Sequence, residues 1–274
     1  LDRHLGHLQI GDRLGHVGVG FRPDKLLQGD ALIVLGDTYS GLSVLPASNQ
    51  GIKIFHMEAG LRAYDKRMPE QRNRMLIDHI SDICLPFHQY HRENLIRENV
   101  HPSKIIVTGN PTYEVMRAFD SKFDQSDILK TLDLKKGEYV AVTAHRKENV
   151  DDPESLNLIL KGLQMVAEKF KKQVVYPMHP RTQSKVKDMK LPSEIRIMNP
   201  LGYYDFNCLS KNAWCLLADS GTTCEEGLYF KVPCVSLRKT TERFETVEAG
   251  AHIIAGIDPQ NICDSVETVT RMKW

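Results

Sequence analysis

The chain alternates short apolar runs with longer amphipathic stretches. The runs are Ala31–Leu35, Ile52–Phe55, Lys104–Val107, Tyr139–Val142, Gln173–Tyr176, Ile195–Met198, Cys215–Ala218 and Pro233–Leu237. They are rich in β-branched residues and largely continuous in apolar character, which predicts strands buried on both faces. Most of the intervals between them are of helical length. Ser155–Phe170 is the clearest, with Leu156, Leu158, Ile159, Leu160, Leu163, Met165 and Val166 grouped mainly on one side. Strand, helix, strand at this pace predicts an α/β chain with parallel sheets and helices on both faces. Ala118–Lys136 is charged and poor in strand residues, so an interdomain linker is expected there. That divides the chain into an N-terminal domain, 1–117, and a C-terminal domain, 118–274.

Ligands of such folds bind outside the carboxyl ends of the strands. The polar clusters directly after the apolar runs are therefore the candidate site. They read "GDT" (Gly36–Thr38), "HMEAGLR" (His56–Arg62), "TGNP" (Thr108–Pro111), "TAHRKEN" (Thr143–Asn149), "PMHPRT" (Pro177–Thr182), "DSGTTCEEG" (Asp219–Gly227) and "RKTTERFE" (Arg238–Glu245). Any one of them is explained by helix capping, since Asp, Ser, Thr and Asn are the usual caps. Their succession, carrying His, Arg and Glu, points to chemistry. In "DSGTTCEEG", Ser220 and Gly221 would present backbone N–H groups at a helix start, suited to a diphosphate. No Gly-Lys-Ser/Thr follows, so this is not a Walker A loop. Glu226 would accept from ribose hydroxyls, and His145, Arg146 and Arg181 would donate to phosphate oxygens. Asp37, Glu58 and Glu70 place carboxylates in the other half, suited to acid/base work on a nucleotide-linked group. Arg62 and Arg74 either pair with these acids or hold the loop.

Composition narrows the classes. The formal net charge is +1, which gives no electrostatic case for a nucleic-acid or anionic-membrane partner. No apolar run reaches the length of a transmembrane helix, and no secretory leader pattern opens the sequence. The six cysteines form no CxxC pair and read as buried free thiols of a reducing cytoplasm. His4, His7 and His16 fit no strong zinc pattern.

The ordered set "GDT", "HMEAGLR", "PEQRNR", "TGNP", "TAHRKEN", "DSGTTCEEG" and "TTERFE" resembles the non-hydrolysing UDP-N-acetylglucosamine 2-epimerases, from about Ala31 to about Gly256. The resemblance implies the glycosyltransferase-B architecture, two Rossmann-like domains with the active site in the cleft between them. It implies a cytoplasmic homodimer acting on a UDP-sugar, with no metal and no nicotinamide cofactor. It further implies that UDP is eliminated to leave a 2-acetamidoglucal, to which UDP adds back as a proton reaches the other face of C2. By motif match, Asp37, Glu58 and Glu70 supply the proton-transfer carboxylates and His145 stabilises the departing diphosphate. Ser220 and Gly221 then hold phosphates, Glu226 the ribose, and Arg243 the nucleotide side.

The departures from the family pattern are specific. "GVGFRPDK" (Gly18–Lys25) faintly echoes the family's Gly-Thr-Arg-Pro-Glu loop but lies too close to "GDT", so the echo is read as accidental and the chain as abbreviated at both ends. Phe244 stands where the family usually has proline. His179 is a candidate contact for a second, allosteric UDP-sugar. Tyr203 and Tyr204 either stack on a uracil or pack at a helix start. A glycosyltransferase of the same fold and an inactive nucleotide-sugar-binding protein are the alternative functions.

Overall fold

The computed structural model describes residues 29–65, 68–187, 189 and 191–273, without the side chain of Arg181. His4, His7, His16 and the Gly18–Lys25 segment lie outside the described residues. The chain separates into two compact units, with the division between Thr108 and Gly109; Arg62–Tyr64 group with the second unit.

The first unit contains β1 (Ala31–Leu35), α1 (Val44–Asn49), β2 (Lys53–Met57), α2 (Pro69–Ile80), β3 (Ile83–Leu85) and α3 (Gln89–Arg97). The three strands are parallel in the order β1-β2-β3. Val34, Val44, Ala47, Ile54 and Ile77 form one buried cluster, and Ala59, Cys84, Leu95, Val100 and Ile105 form another. Val34 of β1 and Ile54 of β2 face the first cluster and Cys84 of β3 the second, while Ile33 and Leu35, on the opposite face of β1, are exposed rather than buried as the apolar run predicts. His56 is fully buried, with Nδ1 2.7 Å from Asp78 Oδ1 and Nε2 2.8 Å from the Gly36 carbonyl. This imidazole ties the end of β1 to α2.

The second unit contains α4 (Pro111–Asp124), α5 (Ile128–Thr131), β4 (Tyr139–Thr143), α6 (Lys147–Val150), α7 (Pro153–Phe170), β5 (Gln173–Pro177), α8 (Pro180–Val186), β6 (Ile195–Met198) and α9 (Tyr203–Lys211), followed by β7 (Cys215–Ala218), α10 (Gly221–Phe230), β8 (Cys234–Ser236), α11 (Phe244–Glu248), β9 (His252–Ile254) and α12 (Pro259–Arg271). Its parallel sheet has the order β6-β5-β4-β7-β8-β9. Relative to the unit's own chain order this is the doubly wound 3-2-1-4-5-6 arrangement, which reverses between β4 and β7. Val140, Val142, Val174 and Leu217 share a core with Leu156, Ile159 and Leu163 of α7 and Ile262 and Val266 of α12. The alternate residues Tyr139, Ala141, Val175 and Leu216 share the other core with Ile128, Leu209 and Cys224. Helices therefore cover both faces. Helix α7 starts at Pro153, with the Asp152 carboxylate accepting from the Ser155 N–H at 2.9 Å.

Three sequence expectations are corrected. The expected linker Ala118–Lys136 contains the end of α4 and all of α5, so the boundary after residue 117 falls inside a helix. Met116 and Phe123 of α4 are fully buried, and Ile128 and Leu132 join a core; these widely spaced apolar residues were hidden among charges. Lys104–Val107 is not a ladder strand. A 3-10 turn, Pro102–Lys104, precedes it, and its pairing is a single parallel bridge from Ile105 to Cys84. Strands β3 and β9, each of three residues, were missed.

Candidate functional site

The reversal point of the second sheet gathers two of the sequence clusters. Strand β4 runs into His145 and Arg146, and its neighbour β7 runs into Asp219 and Ser220. Asp219 is fully buried. Its carboxylate accepts the His145 N–H at 2.9 Å, the Arg146 N–H at 2.9 Å and an Asn149 Nδ2 hydrogen at 3.0 Å. Arg146 returns an Nε–H to the Asp219 carbonyl at 2.9 Å. The His145 side chain is 57% exposed, with Nδ1 3.6 Å from Asp219 Oδ1. One buried carboxylate thus fixes the loop and leaves the imidazole outward, available to a ligand.

Ser220 is the N-cap of α10, with extended backbone and no side-chain cap bond; its hydroxyl lies 2.9 Å from that of Thr222. The helix opens at Gly221. A Cβ there would sit 3.2 Å from Glu242 Oε1, so the "TTERFE" loop packs tightly on this helix start. One turn in, Glu225 and Glu226 are both buried. Glu225 lies 3.1 Å from Arg243 Nε and accepts the Thr112 hydroxyl at 3.0 Å. It therefore joins the start of α4, α10 and "TTERFE". Burial raises its acid above the ordinary carboxylate range, partly offset by Arg243. Glu226 has no hydrogen-bond partner among the described residues, and its acid is pushed up to about 7, first by burial and then by Glu225 and Cys224. A carboxylate taken out of water without a donor is costly, and a ligand hydroxyl would relieve that cost.

In the first unit, Gly36 and Glu58 both adopt left-handed backbone, with φ of 75° and 69°. These turns set the "GDT" and "HMEAGLR" segments against α2. The Arg74 guanidinium pairs with the Asp37 carboxylate and lies 4.0 Å from Glu58 Oε2. Asn73 Nδ2 donates to the Asp37 carbonyl at 3.0 Å. Asp37 and Glu58 are thus held on one buried cation. Glu70 is exposed in the first turn of α2, one turn before Arg74, and no hydrogen bond or ion pair among the described residues draws it into this cluster.

Other sequence-selected residues fare differently. Arg243 is buried against Glu225, so its guanidinium serves the loop. His179 is exposed just before α8, and the Arg181 side chain lies outside the described residues. Tyr203 and Tyr204 pack against Phe123, with ring centroids 5.7 and 6.2 Å away, and form a packed helix start. Arg62 is fully buried. Asp219, Glu225 and His56 were quoted within motifs without a role; only the fold shows their partners. Among the described residues no group of three or more His, Cys, Asp or Glu could hold a metal ion, and no helix is long and apolar enough to cross a membrane.

Residues 24–273 match the family model for UDP-N-acetylglucosamine 2-epimerase. A UDP-N-acetylglucosamine 2-epimerase of Methanococcus maripaludis is 36% identical over 253 residues, covering 88% of this chain and 69% of that protein. A UDP-2,3-diacetamido-2,3-dideoxy-D-glucuronate 2-epimerase of Pseudomonas aeruginosa is 33% identical over 240 residues, covering 86% of this chain and 66% of its own. Among solved structures, the Methanocaldococcus jannaschii UDP-GlcNAc 2-epimerase in complex with UDP-GlcNAc and UDP superposes with a TM-score of 0.81 at 36% identity, covering 89% of this chain and 70% of that one. With the doubly wound second unit, the strand-end clusters and these likenesses together, the chain belongs to the UDP-N-acetylglucosamine 2-epimerase family.

Proposed function

We propose that the chain interconverts UDP-N-acetylglucosamine and UDP-N-acetylmannosamine, or an equivalent pair of UDP-N-acetylhexosamines. The observation that carries this reading is Glu226, a buried carboxylate without a hydrogen-bond partner among the described residues, one turn inside α10, behind the Ser220–Gly221 helix start. Backbone N–H groups at that start suit a diphosphate, and a carboxylate at that depth suits the ribose hydroxyls. The second unit is the UDP-binding side. His145, held by its backbone on Asp219, stabilises the diphosphate as it leaves. Arg146 and Arg243 act chiefly by fixing the loops, and Arg181 donates to phosphate. His179 is the residue to test for a second substrate molecule.

The first unit is the acid/base side. The C2 proton is not adjacent to a carbonyl, so direct deprotonation is difficult. Breaking the C1–O bond to UDP while a carboxylate removes the C2 proton yields a 2-acetamidoglucal and UDP. The reverse addition, with the proton delivered to the opposite face, inverts C2. Asp37 and Glu58 are the carboxylates organised for this work, with Glu70 supplied from the exposed first turn of α2. The relative that epimerises a diacetamido-uronate supports a modified UDP-HexNAc as the substrate alternative. The chain is read as a cytoplasmic homodimer.

Incubation with UDP-GlcNAc alone, followed by proton NMR, tests the reading. UDP-ManNAc should appear without any acceptor. Dependence on an acceptor sugar would favour a glycosyltransferase instead, and binding without turnover a nucleotide-sugar-binding protein.

A further inference from the structure

All six cysteines are buried free thiols, and two of them touch: Cys224 Sγ of α10 lies 3.3 Å from Cys234 Sγ of β8. Cys224 Sγ is also 3.5 Å from His252 Nε2. The other ring nitrogen, Nδ1, is 2.9 Å from the Thr246 hydroxyl, which itself donates to the Arg243 carbonyl at 2.7 Å. A hydroxyl has one hydrogen. Because Thr246 spends it on Arg243, it accepts from His252 Nδ1–H. That leaves the lone pair of Nε2 facing Cys224. The Ser220 carbonyl, 3.7 Å from Cys224 Sγ, is the longer contact. Nothing in the proposed epimerisation uses this Cys–Cys–His–Thr chain.

We propose that Cys224 and Cys234 form an oxidisable dithiol whose reactant is a small hydroperoxide, with His252 as the base. Cys234 donates its S–H to the Cys224 sulfur, and His252, once it has taken the proton on Nε2, donates back to the thiolate; together they lower the Cys224 thiol below its ordinary range against the pull of burial. The thiolate is the nucleophile in such chemistry. His252 takes the Cys224 proton, and the sulfur attacks one oxygen of ROOH. An S–O bond forms, the O–O bond breaks, and the leaving alkoxide takes the proton from His252 to become ROH. Cys224 is then a sulfenic acid. Cys234 sulfur attacks the Cys224 sulfur, the S–S bond forms, and hydroxide leaves with the Cys234 proton as water. Two thiols lose two electrons, and the hydroperoxide gains them. Cys224 is 2% exposed and Cys234 is 0% exposed, so a peptide-sized disulfide has no approach to either sulfur. Burial therefore selects for the smallest oxidants.

The test treats the folded chain with hydrogen peroxide or, separately, with oxidised glutathione. The chain is then denatured, alkylated and mapped by mass spectrometry. Peroxide should remove two of the six thiols, yield the Cys224–Cys234 cross-link, and be reversed by dithiothreitol. Glutathione disulfide should leave all six alkylated. His252→Gln should slow the cross-link by roughly 10²-fold, the usual scale for losing a general base, with no change once the chain is unfolded. A first oxidation at any other cysteine overturns the proposal. So does sulfinate at Cys224 with Cys234 left free, or reaction with glutathione disulfide as fast as with peroxide. The mapping on the unaltered chain decides the matter without any variant and does not depend on the epimerase reading.

Discussion

The guanidinium of Arg74 pairs with the carboxylate of Asp37 and lies 4.0 Å from Glu58. Two carboxylates side by side repel each other, and this buried cation holds together the pair proposed to act on one sugar carbon. Arg74→Lys keeps the charge but loses the planar fork that can serve both acids. Turnover should fall by roughly 10²-fold, the cost of a small misplacement of catalytic groups, while UDP affinity by calorimetry stays unchanged. Near-normal turnover, or an equal loss of UDP binding, would contradict this role.

Asp219 is the equivalent organiser of the second unit. Asp219→Asn keeps its size, yet even with its carbonyl oxygen in the Oδ2 place it turns an NH2 group toward the His145 N–H and loses the negative charge that three donors share. The expected loss is about 1.5–3 kcal/mol in stability, the scale of one hydrogen bond to a charged group, together with weaker UDP binding. Urea unfolding and calorimetry read the two effects. A variant as stable as the parent that binds UDP normally would remove Asp219 from the account.

Glu226 makes a pH-dependent prediction. Its acid rises from the ordinary 4.5 to about 7 in the folded chain. The unfolded chain gives up this proton first, so the folded state is favoured below pH 4.5. That advantage is lost as pH rises to about 7 and is level above. At about 1.4 kcal/mol per pH unit the difference is on the order of 3 kcal/mol. Glu226→Gln removes the slope, so without ligand it should gain stability relative to the parent at pH 8 more than at pH 5. Equal differences at both pH values would show that the carboxylate is not strained.

The same residue should matter for binding. Glu226→Ala should weaken UDP by roughly 1.5–3 kcal/mol, the range for losing a hydrogen bond to a charged group. Asp37→Asn should hardly change it. The opposite result would mean the two units have been assigned the wrong way round.

Much of this was legible in the sequence because a doubly wound sheet writes itself as continuous apolar runs and puts its chemistry directly after them. The places of His145 and Ser220 just beyond β4 and β7, and of Glu226 in the helix that follows, came from that rule; their roles are proposals. What escaped has physical reasons. Strands β3 and β9 have three residues each, as β8 does, but Asp82 and Pro86 bound the first and His252 opens the second, so neither stands out as an apolar run. The linker was misplaced because the buried face of α4 rests on Met116 and Phe123 among charged neighbours. Glu225 and Glu226 are adjacent in the chain, and only the fold shows that the first faces Arg243 and Thr112 while the second faces no donor among the described residues. Arg74 was left open between pairing with the acids and holding the loop, because sequence spacing does not reveal which loops close over a helix.

The most direct measurement of the central claim is the fate of the C2 hydrogen. Epimerisation of UDP-GlcNAc in heavy water should place deuterium at C2 of the product, because the returning proton comes from an exchangeable carboxylic acid. Asp37→Asn and Glu58→Gln should slow that incorporation by about 10²–10⁴-fold. UDP-ManNAc formed with ordinary hydrogen retained at C2, or labelled at the normal rate by both variants, would contradict the elimination mechanism and the carboxylates assigned to it.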